Sequence, residues 1–312
     1  MDTLNGTRIT TIRLIGFQTP RGITYLIFFL FLVIYCVTVC GNISIIILVS
    51  YGKSLHSPMY FFLSQLSLSD IVLVSDILPN MLSIVLMKEI AMPLSECIAQ
   101  LFFFAFSEST ECFLLTVMSY DRYLAICRPL HYTMIMSHRC CRIMAISSWI
   151  LGICVVLIYT LTLSKLQFCG PNIVDHFFCD LNPVLELSCS DTTIVEMETT
   201  SLGTIFLIVP FFIILASYIC ILVTVLEIPT LTGRQKVFST CSSHLSIVCL
   251  FYGTLFSIYF VPRGAQSKSI AKLLSLLYTV VTPLMNPLIY SLRNKDLKNV
   301  AWKLVCTLKN CS

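Results

Sequence analysis

Seven stretches of the sequence contain few or no charged residues, and each is long enough to cross a lipid bilayer. A spanning helix needs about 20 consecutive, mainly apolar residues. Residues 22–52, 143–164, 199–226 and 273–292 carry no charge at all, and the other three stretches contain only a few ionisable side chains. We therefore predict an all-α membrane protein, a seven-transmembrane helix bundle that forms one domain over residues 1–312, with approximate spans at 24–50, 57–87, 95–127, 142–164, 197–226, 236–262 and 271–292.

The composition supports this class and argues against others. Hydrophobic residues make up 57% of the chain and charged residues only 12%, whereas soluble domains are about 25% charged. The net charge of +4 is too small to indicate a nucleic-acid partner. Most of the 16 cysteines lie in apolar runs, where a thiol behaves as a small hydrophobe. No CxxC pair has the spacing of a zinc site, so we predict no transition metal.

Charge in the loops predicts the orientation. With the N-terminus outside, most of the 20 lysines and arginines fall on the inner side, as the positive-inside rule requires. The sequon Asn5-Gly6-Thr7 agrees with this orientation, because N-glycans are added on the lumenal side. No cleavable signal peptide is visible in residues 1–18, so the first span would direct insertion. We expect a multi-pass protein of the plasma membrane, glycosylated at Asn5.

The third predicted span combines several features that carry chemistry. It begins near Cys97, contains Glu108 and Glu111, and ends at Asp121-Arg122. A central acid in a spanning helix costs about 2.5–3.5 kcal/mol on insertion scales, so such residues are functional candidates. The alternative, purely structural role of Arg122 is that of an interfacial anchor whose long side chain reaches the membrane surface.

The longest loop, residues 166–198, lies outside on this topology and contains Cys169, Cys179 and Cys189. Thiols on the oxidising side can form disulfides, and Cys97 is the natural fourth partner. Four cysteines allow three pairings, and spacing does not choose between them. At the other end of the chain, residues 294–308 read as an amphipathic helix on the inner leaflet. Cys306 and Cys311 there are either acylated or unmodified.

Motifs of specific sequence occur along the whole chain, at Gly41-Asn42, Leu55–Tyr60, Leu66–Asp70, Met118–Cys127, Ser217-Tyr218, Lys236–Leu245 and Pro283–Asn294. Together they resemble the odorant (olfactory) receptors of the rhodopsin-like G-protein-coupled receptors. The loop segments Phe177–Asp180 and Leu187–Asp191 look like the tetrapod class II branch. The resemblance implies the disulfides Cys97–Cys179 and Cys169–Cys189. It also implies three partners. They are a small volatile ligand, a stimulatory, olfactory-type heterotrimeric G protein that raises cAMP, and membrane lipid.

In receptors of this kind, the resting arginine at the inner end of the third helix pairs with the acid beside it. On activation it swings free and the sixth helix moves outward. The resemblance assigns this switch to Asp121, Arg122, Tyr123, Tyr218, Lys236, Asn286, Pro287 and Tyr290. Proline removes a backbone hydrogen bond, so Pro287 should loosen the seventh helix and Pro210 the fifth.

Two acids in neighbouring spans suggest a cation site. If Asp70 and Glu111 face each other, they offer hard oxygen ligands, with Asn286 and Asn42 near. A sodium ion there would favour the resting state, and it is the one cofactor that we expect. The alternative is that one or both acids are protonated and hydrogen-bonded.

The ligand is expected in the outer half of the bundle. Counting outward from Arg122 at helical spacing gives Phe104, Ala105, Glu108 and Ser109. The family's other pocket positions match Leu202, Gly203, Phe206, Tyr252, Leu255, Phe256, Tyr259, Leu276 and Thr279. Such an apolar lining suits a small volatile molecule, bound in the micromolar range once ordering costs are subtracted. Each residue could instead serve ordinary helix packing.

Two positions depart from the family pattern. Ser119 replaces the usual alanine, which is a mild change. Glu108 stands where the family commonly has a small or neutral residue. An acid there could pair with a protonated amine, or when neutral donate a hydrogen bond to a carbonyl or alcohol. The bland alternative is an internal hydrogen bond to Ser109, Tyr252 or Thr279.

Other functions fit the sequence less well. A rhodopsin-like receptor for peptides or amines would usually carry a tryptophan and a proline where this chain has Phe251-Tyr252-Gly253. A transporter or channel would favour internal repeats and broken central helices, which the sequence lacks. We expect no enzymatic activity and assign no catalytic residue, because no nucleophile–base pair or metal triad is visible.

Overall fold

The computed structural model describes residues 9–17, 20–169, 171–259, 268–293 and 295–310. The sequon at Asn5 lies outside the described residues, as do the side chains of Lys236 and Tyr259. Within the described ranges the chain is helical, and the seven-helix bundle predicted from the sequence is confirmed.

The helices follow the charge-free stretches. They are α1 (Arg21–Tyr51), α2 (Pro58–Met87), α3 (Leu94–Cys127), α4 (Pro129–Ile135), α5 (His138–Leu163), α6 (Leu181–Leu185), α7 (Thr193–Gly203), α8 (Val209–Glu227), α9 (Leu231–Tyr259), α10 (Lys268–Leu276), α11 (Thr282–Arg293) and α12 (Lys295–Asn310). Segments α7 and α8 form one span, and so do α10 and α11. Six spans are long and strongly apolar, and the sixth in chain order, α9, has a shorter apolar stretch, Cys241–Ser257.

The two composite spans are interrupted by single turns of π-helix, at Thr204–Ile208 and Leu277–Val281. The first turn lies just before Pro210. Because proline has no N–H, it cannot donate to the carbonyl of Phe206 four residues earlier. The Cys112 thiol of α3 donates to that carbonyl instead, at 3.4 Å. Cys112 of α3 therefore supplies the Phe206 carbonyl with a donor in place of the N–H that Pro210 lacks.

The distribution of exposed apolar side chains is that of a protein embedded in a bilayer. Large apolar side chains on α1 and α8, such as Leu26 and Phe212, are exposed, because lipid rather than water surrounds the bundle. Inside, the buried residues form two hydrophobic clusters. One contains Cys97, Phe104 and Tyr278, and the other contains Leu115, Ile247 and Tyr290. The ends of the bundle that carry these clusters are called the outer end and the inner end below.

Helix α3 is the central element and packs against α2, α5, α8 and α9. Its contact with α5 is close, because a Cβ atom added at Gly152 would lie 2.5 Å from Thr110 Oγ1. Gly41 of α1 similarly lies against Pro287, with a Cβ at 3.2 Å. Small residues let spanning helices approach each other in this way.

A small sheet covers the outer end, and the sequence pattern did not indicate it. Its strands are β1 (Thr11–Leu14), β2 (Ile90–Pro93) and β3 (Ile173–Val174), in the order β2-β1-β3. β1 is antiparallel to β2 and parallel to β3. The N-terminal segment is thus the central strand and joins the turn after α2 to the loop after α5.

Candidate functional site

The outer face of α3 carries the four predicted positions that were counted from Arg122. Phe104 and Ala105 are buried, whereas Glu108 and Ser109 are half-buried. The Phe104 ring contacts the rings of Phe178 and Tyr278, with centroids 5.1 Å and 5.5 Å away. Because α3 lies at the centre of the bundle, the partial exposure of Glu108 and Ser109 indicates free space beside them.

Glu108 makes no hydrogen bond or ion pair with any described residue. The internal partners considered for it are engaged elsewhere. Tyr252 Oη lies 3.2 Å from Cys112 Sγ, and Thr279 donates to the carbonyl of Ser275 at 2.7 Å. The charged groups that act on Glu108 electrostatically are Asp180 and Glu111, both acidic. The described surroundings of Glu108 are therefore apolar and aromatic side chains with two further acids.

The structure brings some of the remaining predicted ligand residues together. Phe206 and Tyr252 meet at Cys112, and Phe211 contacts both Tyr252 and Phe256, with ring centroids 5.1 Å and 5.0 Å away. Leu202 and Leu276 are half-buried, whereas Leu255 and Thr279 are buried. These residues, with Glu108 and Ser109, are called the Glu108 site; Leu202, Leu255, Leu276 and Thr279 are included because the sequence predicts them there.

Two predicted positions stand apart from that site. Gly203 is exposed, and no heavy atom lies within 4 Å of a Cβ added there. Tyr259 belongs to α9, but its side chain lies outside the described residues. Sequence reasoning also missed Cys112, which contacts the fifth and sixth spans. Its spacing of one helical turn from Glu108 is the signal that could have found it.

A buried polar cluster lies farther inward. Asn286 Nδ2 donates to both oxygens of Asp70 at 3.0 Å and to Glu111 Oε1 at 3.3 Å. Asn42 Nδ2 donates to the carbonyls of Thr38 and Pro283. The side-chain oxygens of Asn42, Asn286 and Tyr290 are buried and have no hydrogen-bond partner within the described part of the chain. A hard cation such as sodium prefers oxygen ligands. The two carboxylates, together with these amide and hydroxyl oxygens, supply such ligands, so the residues present fit that ion.

The inner end holds the predicted switch. Arg122 is buried and pairs with Asp121, and Tyr132 of α4 donates to the other carboxylate oxygen at 2.8 Å. Burial and the neighbouring Asp121 raise the pKa of Tyr132, so its hydroxyl stays protonated and available as a donor. Tyr123 is half-buried, and Pro287 lies within α11.

The fifth and sixth spans are joined beside this pair. Tyr218 Oη lies 2.6 Å from His244 Nδ1, and the two rings are stacked. His244 Nε2 and Tyr290 Oη are buried, and neither has a hydrogen-bond partner in the ranges that the structure describes. Four spans thus contribute polar groups at the inner end: Arg122, His244 and Tyr290 are buried, and Tyr218 is half-buried. The backbone of Lys236 lies in α9, and its side chain is not described.

The outer loop is fixed by covalent and polar contacts. Cys97 is bonded to Cys179, and Cys169 to Cys189, with Cα–Cα distances of 5.4 Å and 5.8 Å. These are the two pairs that the resemblance implies. Gln100 of α3 accepts from the Cys179 amide at 2.9 Å and donates to the Asp76 carbonyl at 2.9 Å. Burial, with Lys272 nearby, lowers the pKa of His176 to about 3, so this imidazole is neutral.

Comparisons with known proteins agree with the resemblance. A family model described as "Olfactory receptor" matches residues 31–308. The chain is 45% identical to olfactory receptor 11L1 of Homo sapiens, over 98% of this chain and 95% of the relative. It is 44% identical to olfactory receptor 1496 of Rattus norvegicus, over 98% of both chains. The crystal structure of squid rhodopsin shares the fold, with a TM-score of 0.73 and 18% identity over 95% of this chain and 89% of that one.

Proposed function

The chain belongs to the olfactory receptor family, and on that premise we propose that it binds a small volatile molecule at the Glu108 site and activates a stimulatory, olfactory-type G protein that raises cAMP. Membership of this family makes it a multi-pass membrane receptor and not an enzyme. We further propose that it acts in the plasma membrane with its N-terminus and the sheet outside the cell. The observation that carries the ligand proposal is Glu108, an acid without a described partner among apolar and aromatic side chains.

The surroundings of Glu108 support a ligand with one polar group on an apolar body. Phe206, Phe211 and Phe256 supply apolar area, which stabilises a bound molecule by roughly 25 cal/mol per Å2 buried. Glu108 supplies the single polar contact, either with a protonated amine or by donating to a carbonyl or alcohol. Asp180 and Glu111 act on Glu108 electrostatically, and where they are ionised they would add to its attraction for a protonated amine.

The inner end supports coupling to a G protein. The buried Asp121–Arg122 pair, braced by Tyr132, represents a resting state in which the arginine is held. Release of Arg122 and separation of Tyr218 from His244 would let α9 move outward and expose a surface between the third, fifth and sixth spans. Lys236, at the inner end of α9, adds positive charge where the partner would bind.

We also propose that sodium binds near Asp70, Glu111 and Asn286. The ion would supply positive charge between two carboxylates and favour the resting state. Replacing external sodium by choline should then increase agonist potency in intact cells, and Asp70→Asn should remove that dependence on sodium. An unchanged potency in the parent receptor would count against the site.

The first experiment measures cAMP in cells that co-express an olfactory-type stimulatory G protein. The receptor is screened against a chemically broad odorant panel that includes amines, with surface expression measured in parallel. A response that disappears in Arg122→Ala at equal surface expression would support an odorant receptor coupled to this G protein. Silence of the parent at confirmed surface expression, across the panel, would count against the proposed coupling.

The Glu108 contact has its own test. We expect Glu108→Gln to lower potency for amines by about tenfold or more, because a charged hydrogen bond contributes about 1.5–3 kcal/mol. Ser109→Ala removes a hydroxyl but no acid at the neighbouring, also half-buried position of the site, so it should lower the potency of amines less than Glu108→Gln. Unchanged potency for every agonist in Glu108→Gln would exclude direct contact.

A further inference from the structure

Lys272 is a buried cation near the outer end of the seventh span, and all three of its donors have acceptors. Its Nζ lies 2.5 Å from the Asp175 carboxylate, 3.1 Å from the Gly16 carbonyl and 3.5 Å from the Ile15 carbonyl. The side chain is 9% exposed. A lysine ammonium has three N–H donors, and a buried charge is tolerated only when it is paired. The surrounding segments are therefore arranged around this ammonium.

These acceptors belong to two segments that are distant in sequence. Ile15 and Gly16 directly follow β1, and Asp175 directly follows β3. The two strands run parallel, with Leu14 opposite Val174, so their ends meet at the same point. Lys272 thus joins the N-terminal segment and the loop after α5 to the seventh span. We call residues 9–17 and 173–180 together the lid.

The lid covers the outer side of the Glu108 site. Phe177 and Phe178 are the fully buried side chains of the lid, and Phe17, also of the lid, stacks on Phe177 at 5.8 Å. Phe178 contacts Phe104, which lies about one helical turn outward from Glu108 on α3. A molecule that approaches from the outer end therefore meets these aromatic side chains before it meets Glu108.

Besides the pairing of β1 with β2, the lid has attachments to α3 and to the seventh span, and these two differ in kind. On the α3 side, the Cys97–Cys179 disulfide holds the loop covalently, and Gln100 adds a hydrogen bond. On the seventh-span side, Lys272 holds it through one ion pair and hydrogen bonds. A covalent bond stays closed, whereas polar contacts of this kind break and form again on the timescales of loop motion. The lid therefore has a fixed side at α3 and a releasable side at Lys272.

We propose that Lys272 is a positioning residue that holds the lid closed over the Glu108 site, and that release of its contacts opens the path by which small molecules enter and leave. This inference rests on the proposed function, because it concerns access to the same site. The same span carries Leu276 and Thr279 of that site. A ligand that shifts these residues also moves the point at which the lid is held.

The test measures access to the site without any agonist. Ser109→Cys places a thiol beside Glu108 with almost no change in size. A quaternary-ammonium methanethiosulfonate, which does not cross membranes, is added to intact cells that express the full-length receptor, and the rate of labelling at residue 109 is measured. The same receptors without Ser109→Cys give the background from the native cysteines.

We expect Lys272→Met to raise the labelling rate about tenfold, because the loss of hydrogen bonds to a charged group weakens closure by more than 1.4 kcal/mol. Asp175→Asn, which keeps the size of the side chain, should raise the rate less. Lys272→Arg keeps the charge and should stay nearer the parent. Glu89→Gln is the matched control. It removes an ion pair with Arg13 at the same sheet, but one in which both side chains are 43% exposed, and such pairs contribute little.

An unchanged rate in both Lys272→Met and Asp175→Asn would overturn the proposal. So would an equal rise in Glu89→Gln, because the effect would then be a general loosening of the sheet. This readout needs neither an odorant nor a G protein, so its failure is distinct from failure of the proposed function. Where the odorant panel supplies an agonist, Lys272→Met should also shorten the decay of the cAMP signal after washout.

Discussion

His176 shows how one neutral side chain stabilises the outer end of the bundle. Its ring is buried between Phe177 and Phe178, with centroids 4.7 Å from each, and its Nδ1 has no hydrogen-bond partner among the described residues. Asp175 and Lys272 are the charged groups that act on it. Protonation would place a second positive charge beside the Lys272 ammonium, on a ring that is buried from solvent.

This residue makes the stability of the receptor dependent on pH. The pKa of His176 falls from 6.5 in the unfolded chain to about 3 in the folded chain, so between these values the unfolded chain binds more protons. Stability is then fully present above about pH 6.5 and decreases as the pH falls toward 3. At about pH 5 the loss should be about 2 kcal/mol.

The measurement is the thermal unfolding midpoint of the purified receptor in detergent, between about pH 7.5 and pH 5. His176→Phe keeps an aromatic ring of similar size and removes the titration, so its midpoint should vary less with pH. Equal pH dependence in parent and variant would exclude His176 as the responsible group.

At the scale of elements, the close contact of α3 with α5 depends on Gly152. A Cβ atom at this position would lie 2.5 Å from Thr110 Oγ1 and 3.4 Å from the Phe106 carbonyl. We expect Gly152→Ala to lower stability by about 1–3 kcal/mol, the usual effect of overpacking. Unfolding midpoints would show this, and Thr110→Ala should restore part of the loss by removing the clashing hydroxyl. Gly203→Ala is the control, because its surroundings are open.

The helices could be predicted from the sequence because lipid imposes a simple rule on every span, and their ends deviate for local reasons. The fifth span begins at Thr193 rather than at 197, since an acid such as Glu196 in the first turn interacts favourably with the helix dipole. The fourth span begins at His138 rather than at 142, because Ser137 caps it by accepting from the Cys140 amide. A run without charges shows where a span lies, but it does not show an acid in the first turn or a capping residue before the helix.

The sheet and the lid could not be predicted in this way. The strands have four, four and two residues, which is too short for an alternating pattern to stand out. Lys272 and Asp175 are 97 positions apart, and no local pattern links them. The position of Glu108 on α3 followed from helical spacing alone. Its lack of a partner did not, because that depends on where Tyr252 and Thr279 direct their hydroxyl groups.

At the scale of the whole molecule, the two disulfides should differ in their effect. Cys97–Cys179 closes a loop of 82 positions and Cys169–Cys189 one of 20. In the chain-entropy account, a longer loop restricts the unfolded chain more, by about 1 kcal/mol for this difference. Paired serine substitutions at Cys97 and Cys179 should therefore lower the unfolding midpoint more than those at Cys169 and Cys189. The reverse order would indicate that loop length does not decide the effect.

The central place of the N-terminal strand determines the order in which the molecule can be assembled. β1 is made first, but its neighbours are residues 90–93 and 173–174, and Lys272 follows almost a hundred residues later. A growing chain emerges from the ribosome at about 5–20 residues per second. The first strand therefore waits many seconds, with its backbone donors and acceptors open, before its last contact is synthesised. The earlier spans can be inserted into the membrane and packed during that time. The lid can be completed only after the segment that contains Lys272 has been made.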